Sequence, residues 1–156
     1  MIIRQETGLT DPIRELLAEH LADMRAVTPP ESVHALDETA MTAPELSYWT
    51  AWDGDTLLGC GALKALDARH GEVKAMRTPA VARGRGAGRA VLEAILDEAR
   101  ARDYAAVYLE TGAMEAFIPA RTLYAARGFV ERGPFGDYGP DPNSVFMELV
   151  LGASAG

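Results

Sequence analysis

The chain has 156 residues, of which 48% are apolar and 24% charged, which suits one globular core and excludes a disordered or collagen-like chain. Fifteen basic against 23 acidic residues give a formal charge of −8, so neither nucleic acid nor an anionic membrane is expected as a partner. The single cysteine, Cys60, excludes an intramolecular disulfide and any C-x-x-C redox or zinc motif, and no metal-binding spacing is present.

The N-terminal part predicts a short strand, an amphipathic helix and a loop. Residues 2–5 form the strand, and Asp11 and Pro12 supply a cap and a first-turn proline for the helix. Apolar residues recur along one side of this helix at helical spacing: Ile13, Leu16, Leu17, Leu21 and Met24. The helix should end before Pro29, and residues 29–36 read as a loop with at most a short helix.

The middle of the chain predicts a β-hairpin and a further strand. Residues 46–52 and 56–63 are rich in aromatic and branched side chains, and Asp53-Gly54 between them is a strong hairpin signal. Residues 72–78 form the next strand and lead into a glycine-rich turn. We expect the two hairpin strands to be antiparallel.

The C-terminal half predicts two helices and three strands. The first helix follows the glycine-rich turn, and its apolar side contains Val91, Leu92, Ile95, Leu96 and Ala99. A strand at 104–111 precedes a second helix at 119–127, which Gly128 ends. Residues 129–131 and 144–150 form the last two strands.

This order of elements predicts a mixed α/β fold, in which helices flank a mixed, mostly antiparallel sheet of about six to seven strands. No internal repeat, low-complexity block or linker interrupts residues 1–151, which we expect to form one domain. Residues 152–156 have the composition of a disordered tail.

The glycine-rich turn, Arg83-Gly84-Arg85-Gly86-Ala87-Gly88-Arg89, lies between a predicted strand and the longest predicted helix. Backbone N–H groups and the positive helix end can converge there on an anion, and three arginines add charge. A bound phosphate or pyrophosphate is the functional interpretation, and a solvated basic turn is the plain alternative. The lysine of a P-loop is missing, and the sixth position of a dinucleotide fingerprint holds Arg89 or Val91 instead of glycine.

The remaining pattern, Arg-x-x-Gly-x-Gly at Arg83, Gly86 and Gly88, resembles the coenzyme A pyrophosphate motif of the GNAT superfamily. Residues 120–129, Ala-Arg-Thr-Leu-Tyr-Ala-Ala-Arg-Gly-Phe, resemble the A-x-x-L-Y-x-x-x-G-F signature of the same family, at the family's usual separation. The resemblance covers nearly the whole chain and implies a single GNAT-like domain.

The chain departs from the usual family pattern at one position, and two of its segments resemble one branch of the family more closely. Many members place an aliphatic residue and then x-Pro-x-x before the arginine, whereas Thr78 takes the aliphatic position here and the proline is shifted to Pro79. Residues 29–36 and 137–147 are similar to the small bacterial YsnE-type branch of the superfamily.

The resemblance implies an N-acetyltransferase that moves an acetyl group from acetyl-CoA, its co-substrate, to the amine of a small molecule by direct attack, without a metal. Glu72 resembles the catalytic glutamate of some members, and a solvated strand-end charge is the alternative. Tyr124 matches the tyrosine that in many members protonates the departing thiolate. The residues assigned to the coenzyme are Met76, Thr78, Arg83, Gly84, Arg85, Gly86, Ala87, Gly88 and Arg89.

Three residues are candidates for acceptor binding. His34, on the proline-started loop, could line the pocket, although a surface imidazole is an equal interpretation. Arg69 and Arg77 flank Glu72, and if they face the pocket they favour an amine that carries a carboxylate, such as an amino acid. His20 is expected to be a core or boundary residue, and Cys60 a buried and inert one.

Other functions remain open from the residues alone. The domain could hold acetyl-CoA as a regulatory ligand without chemistry, it could be another enzyme that binds a different phosphate ligand, or it could be a structural protein. The N-terminus lacks an apolar signal core, and no apolar run reaches the ~20 residues of a membrane span, which predicts a cytoplasmic protein. Analogy with the family adds a homodimer as an option.

Overall fold

The computed structural model of the chain describes residues 1–33, 42–79 and 82–152. Its strands are β1 (Ile2–Glu6), β2 (Leu46–Asp53), β3 (Thr56–Ala65), β4 (His70–Arg77), β5 (Ala106–Gly112), β6 (Val130–Arg132) and β7 (Ser144–Val150). Its α-helices are α1 (Asp11–Val27), α2 (Ala87–Ala101) and α3 (Ile118–Arg127), and 3-10 turns lie at Pro30–Ser32 and Glu115–Phe117. The predicted order of elements is confirmed. His34 and residues 153–156 lie outside the described residues.

The strands form one sheet in the order β1-β2-β3-β4-β5-β7-β6. Every neighbouring pair is antiparallel except β4 and β5, which run parallel. The parallel pairing joins His70–Val73 to Ala106–Leu109 and then stops. The two strands continue past this point, so the sheet opens into a wedge between residues 74–77 and Glu110–Gly112. The predicted mixed, mostly antiparallel sheet is confirmed.

A β-bulge lies where β4 leaves β5. Cys60 and Ala62 of β3 pair with Arg77 and Lys74, so β4 accommodates one more residue than β3 over this stretch. Ala75 has a φ of 55°, in the left-handed region that a residue with a Cβ rarely adopts. A bulged strand bends, so this irregularity turns the second half of β4 and widens the wedge.

Helices cover both faces of the sheet. On one face α2 buries its entire predicted apolar side, which packs against Leu63, Val73 and Val107. On the other face α1 buries Ile13, Leu16 and Leu17 against Tyr48, Cys60, Ala62 and Ala75. The last predicted apolar residue of α1, Met24, is only partly buried because this end of the helix overhangs the wedge.

The start of α1 differs from the sequence prediction in one detail. Asp11 is the first helical residue and not the cap, which is Thr10 with extended dihedrals and no side-chain capping bond. Across the described ranges, no helix has both the length and the apolar character needed to cross a bilayer.

Candidate active site

The wedge between β4 and β5 continues into a cavity of about 700 Å³. This volume lies within the range of small-molecule sites, roughly 300–1,000 Å³. The second half of β4 and the end of β5 form two walls, the C-terminal half of α1 forms a third, and the glycine-rich turn and α3 close the far end. These elements therefore meet at the opening in the sheet.

The glycine-rich turn presents bare backbone to the cavity at the start of α2. Gly84 and Gly86 have φ values of 81° and 82°, which favour glycine, and Gly86 is the residue before the helix. A Cβ placed on either would meet nothing within 4 Å, so the space beside the turn is open. Arg83, Ala87 and Gly88 also line the cavity. An open cradle at a helix N-terminus suits the pyrophosphate of coenzyme A.

Two of the three predicted arginines do not reach this cradle. Arg85 donates to Asp53 at 2.7 Å on the outside of the turn. Arg89 is on the first turn of α2 and lines a small separate depression. Arg83 is therefore the arginine of the turn that the structure brings to the cavity, together with Met76 and Thr78 at the end of β4.

Glu72 is only 3% exposed and lines the cavity. Its Oε2 atom accepts hydrogen bonds from the hydroxyl of Tyr138 at 2.7 Å and from Nζ of Lys74 at 3.3 Å. The Lys74 ammonium also donates to the Tyr138 hydroxyl at 2.9 Å. Glu72 is therefore a buried carboxylate in a defined network, and not the solvated strand-end charge that was the alternative interpretation.

Sequence reasoning missed both partners of Glu72. The period-two alternation of a strand could have found Lys74, which lies two residues after Glu72 and so points to the same face. Tyr138 lies between β6 and β7, in a segment that the sequence marked only by its similarity to the YsnE-type branch and with no signal that ties it to Glu72. Burial, followed by the charge of Glu72 and the hydrogen bond to it, raises the pKa of Tyr138, so its phenol keeps the proton that it donates.

Tyr124, on α3, also lines the cavity and is 6% exposed. Its ring packs edge-on against Phe129 at 5.8 Å, directly after Gly128 ends the helix with a φ of 108°. Burial first, and then the charge of Glu110, raises the pKa of the Tyr124 phenol. The hydroxyl therefore stays protonated at neutral pH, as a proton donor must.

Glu110, on β5, is a further cavity residue that the sequence did not single out. The Ser144 hydroxyl on β7 donates to its Oε2 atom at 2.7 Å. Leu109 is the last residue of β5 that pairs with β4, so Glu110, which follows it, lies at the edge of the wedge while still paired with β7. Together with Glu72 and Asp23 it gives the described lining of the cavity three carboxylates.

The predicted acceptor-binding residues do not come together. Arg77 lines the cavity, but its guanidinium already binds Glu19 and Asp23 of α1. Arg69 precedes β4, at the end of the strand away from the bulge, and donates to the Asp103 carbonyl at 3.1 Å outside the cavity. Of the two arginines that flank Glu72 in the sequence, Arg77 therefore meets the condition of facing the pocket, and Arg69 does not.

Two histidines and the cysteine complete the predicted candidates. His20 lines the cavity from α1, and burial, then the charge of Arg77, lowers its pKa to about 4. His34 is outside the described residues. Cys60 is buried, as expected, on the face covered by α1. The described part of the chain has no group of three His, Cys, Asp or Glu residues placed to hold a metal ion.

Residues 13–129 match the acetyltransferase (GNAT) family. The chain belongs to the GNAT family. This membership confirms the resemblance drawn from the two sequence motifs.

Two relatives are similar to the chain over most of both lengths. The N-acetyltransferase YsnE of Bacillus subtilis is 53% identical over 136 residues, which cover 87% of this chain and 90% of YsnE. The IAA acetyltransferase of Azospirillum brasilense is 43% identical over 151 residues, which cover 96% and 97%. With these relatives, GNAT membership shows that the protein is an acyltransferase.

Solved GNAT structures share the fold. A Klebsiella pneumoniae protein assigned as an acyl-CoA N-acyltransferase superimposes with a TM-score of 0.78 at 27% identity, covering 96% of this chain and 97% of that one. A GNAT acetyltransferase from Elizabethkingia anophelis with acetyl-CoA bound gives a TM-score of 0.67 at 20% identity, with 96% and 97% covered. These likenesses show that the chain has the GNAT fold.

Proposed function

We propose that residues 1–151 form one catalytic domain that transfers the acetyl group of acetyl-CoA to the amine of a small molecule. The reaction is direct attack by the amine while both substrates occupy the cavity. The observation that carries the proposal is that Glu72, Tyr124 and the open glycine cradle line one continuous cavity. No covalent acyl-enzyme is needed, and Cys60, which is buried, is not required as a nucleophile.

The two candidate catalytic side chains divide the proton transfers. A lysine-like amine has a pKa of ~10.4 and arrives protonated, so Glu72 accepts the proton that the nitrogen must lose, directly or through water. The nitrogen then bonds to the acetyl carbon as the carbon–sulfur bond breaks, and the sulfur takes the electron pair. Tyr124 gives its proton to that sulfur, and the second proton that the nitrogen loses as the amide forms returns to the tyrosine through water, so the proton count closes. Holding the reactants together supplies the rest of the acceleration.

The coenzyme would be held mainly by backbone. Gly84, Gly86 and the first N–H groups of α2 would bind the pyrophosphate, with Arg83 as the nearby cation. Backbone groups at Met76 and Thr78 on the bent end of β4 would hold the pantetheine arm. This division leaves the space between α1 and Glu72 for the acceptor.

An acceptor that carries a carboxylate, such as an amino acid, is the narrower version of this proposal. Arg77 would be its anchor, because it is the cationic side chain on the α1 side of the cavity. Its guanidinium would have to exchange a carboxylate of α1 for that of the acceptor. Free amino acids and their amides therefore form the most informative pair in an amine panel.

The first experiment is thermal unfolding with acetyl-CoA, and with NAD and ATP as controls. A ligand at a hundred times its Kd adds about 2.7 kcal/mol of stability. We expect acetyl-CoA alone to raise the midpoint, and Gly86→Val to abolish the rise because valine resists a positive φ. Gly133→Ala is the matched control, since a Cβ there meets nothing within 4 Å.

The second experiment is release of free coenzyme A with the amine panel. Turnover with at least one amine supports the proposal, and Glu72→Gln should then reduce it. A midpoint rise without turnover on any amine would make the protein an acetyl-CoA-binding regulatory module instead. No rise with acetyl-CoA would overturn both functions.

A further inference from the structure

The segment between β6 and β7 reaches the Glu72 carboxylate through the side chain of Tyr138. Tyr138 does not line the cavity itself, yet its hydroxyl lies 2.7 Å from Glu72 Oε2, although the two residues are 66 positions apart. The second donor, Lys74, reaches the same oxygen at 3.3 Å. Both recorded donors therefore act on Oε2, and no described residue donates to Oε1.

The position of Tyr138 is set by aromatic packing. Its ring centroid lies 5.1 Å from that of Phe135 and 5.5 Å from that of Phe146. Nζ of Lys74 lies 5.6 Å from the centroid of the Tyr138 ring, in the range of a cation–π contact. Phe135 continues the cluster to Tyr108 on β5 at 5.1 Å. The hydroxyl is thus held at Glu72 by rings that do not touch the cavity.

This arrangement fixes the orientation of a carboxylate in a way that one partner could not. A glutamate side chain has three torsions, so an unrestrained carboxylate would sample several directions. It would then spend less time in the orientation that can accept a proton from the amine. Two donors on Oε2, one from the same strand and one from the opposite segment, hold the group from two sides. Oε1, which accepts from no described residue, is the oxygen left for an acceptor amine or a bridging water.

We infer that Tyr138 is a positioning residue for Glu72, which it holds through Oε2 so that Oε1 meets the incoming amine. The inference rests on the proposed function, in which Glu72 accepts the proton of the acceptor. It adds the β6–β7 segment to the machinery of the reaction, with Lys74 as the cation that shares the carboxylate and the phenol.

The test compares Tyr138→Phe with Tyr108→Phe, which removes a hydroxyl from the same aromatic cluster outside the cavity. Steady-state kinetics use the best amine of the panel. We expect Tyr138→Phe to lower kcat by about tenfold or more, the scale of one hydrogen bond to a charged group, with an unchanged KM for acetyl-CoA. Tyr108→Phe should retain wild-type kcat. In a Glu72→Gln background, Tyr138→Phe should cause no further loss.

Urea unfolding of the same variants gives a second measure that needs no acceptor. The effects of Tyr138→Phe and Glu72→Gln on the free energy of unfolding should be non-additive, because the two residues share one hydrogen bond. Additive effects, an unchanged kcat in Tyr138→Phe, or an equal loss in Tyr108→Phe would each overturn the inference. Failure of the proposed function is distinct: the wild-type protein would then acetylate no amine, and the inference would fall with it.

Discussion

Replacing Gly112 with alanine tests how closely the end of β5 is packed beside the cavity. A Cβ on Gly112 would lie 2.1, 2.3 and 2.6 Å from three ring atoms of Phe117. Phe117 is 8% exposed and lines the cavity, so its ring cannot move aside without disturbing packed neighbours or the site. Overpacking of this kind costs about 1–3 kcal/mol. For a chain of this size that is a fall of about 2–12 °C in melting temperature.

The assay is thermal unfolding followed by circular dichroism. Gly139→Ala is the matched control, because a Cβ there would meet nothing within 4 Å, and it should melt like the wild type. Adding Phe117→Ala to Gly112→Ala should cost less than Phe117→Ala costs in the wild-type background, since the new methyl group then fills vacated space. A Gly112→Ala protein that melts with the wild type would refute the packing argument, and with it the assignment of Phe117 to the cavity wall.

Three further predictions follow from the titratable groups. Tyr124→Phe should lower kcat by about a hundredfold or more while acetyl-CoA still raises the unfolding midpoint; unchanged kcat would remove it as the acid. The pKa of His20 is about 4 when folded, below the ordinary 6.5, so its stabilising contribution is complete above pH 6.5 and is lost as the pH falls toward 4. Urea unfolding of His20→Gln should show less of this loss, and an identical pH profile would contradict it. Burial raises the pKa of Cys60 to about 12, so iodoacetamide at about pH 8 should label the thiol only after unfolding, and rapid native labelling would be incompatible with its burial.

The fold could be predicted because local patterns and tertiary packing agree along most of the chain. The apolar spacing of Val91, Leu92 and Ile95 requires a helix, and the structure buries all three against the sheet. Asp53-Gly54 lies between two strands rich in branched residues, and these pair as an antiparallel hairpin. Gly128 ends its helix with a positive φ, as its place in the signature predicts.

The site was less predictable because several of its contacts join residues that are far apart in the sequence or depend on side-chain directions that only the folded structure sets. The network at Glu72 joins β4 to a segment 66 positions away, and no periodicity relates the two. Arg85 and Arg89 share a basic motif with Arg83, but the turn and the helix direct each side chain differently. Arg69 is close to Glu72 in sequence, but it lies just outside the strand and bonds to the Asp103 carbonyl.

The central parallel ladder is only four residue pairs long. Beyond it, the peptide groups of residues 74–77 and Glu110–Gly112 that point across the wedge have no strand opposite them. A bound molecule that hydrogen-bonds to these groups would pair with both strand ends, as an added strand would. It would therefore connect the two parts of the sheet across the gap between β4 and β5. Amide hydrogen exchange at residues 74–77 and Glu110–Gly112 would then slow when a ligand fills the cavity, while the exchange rates of β1 and β2 stay unchanged. Occupancy of the site can therefore be read from the backbone of the protein before any acceptor is known.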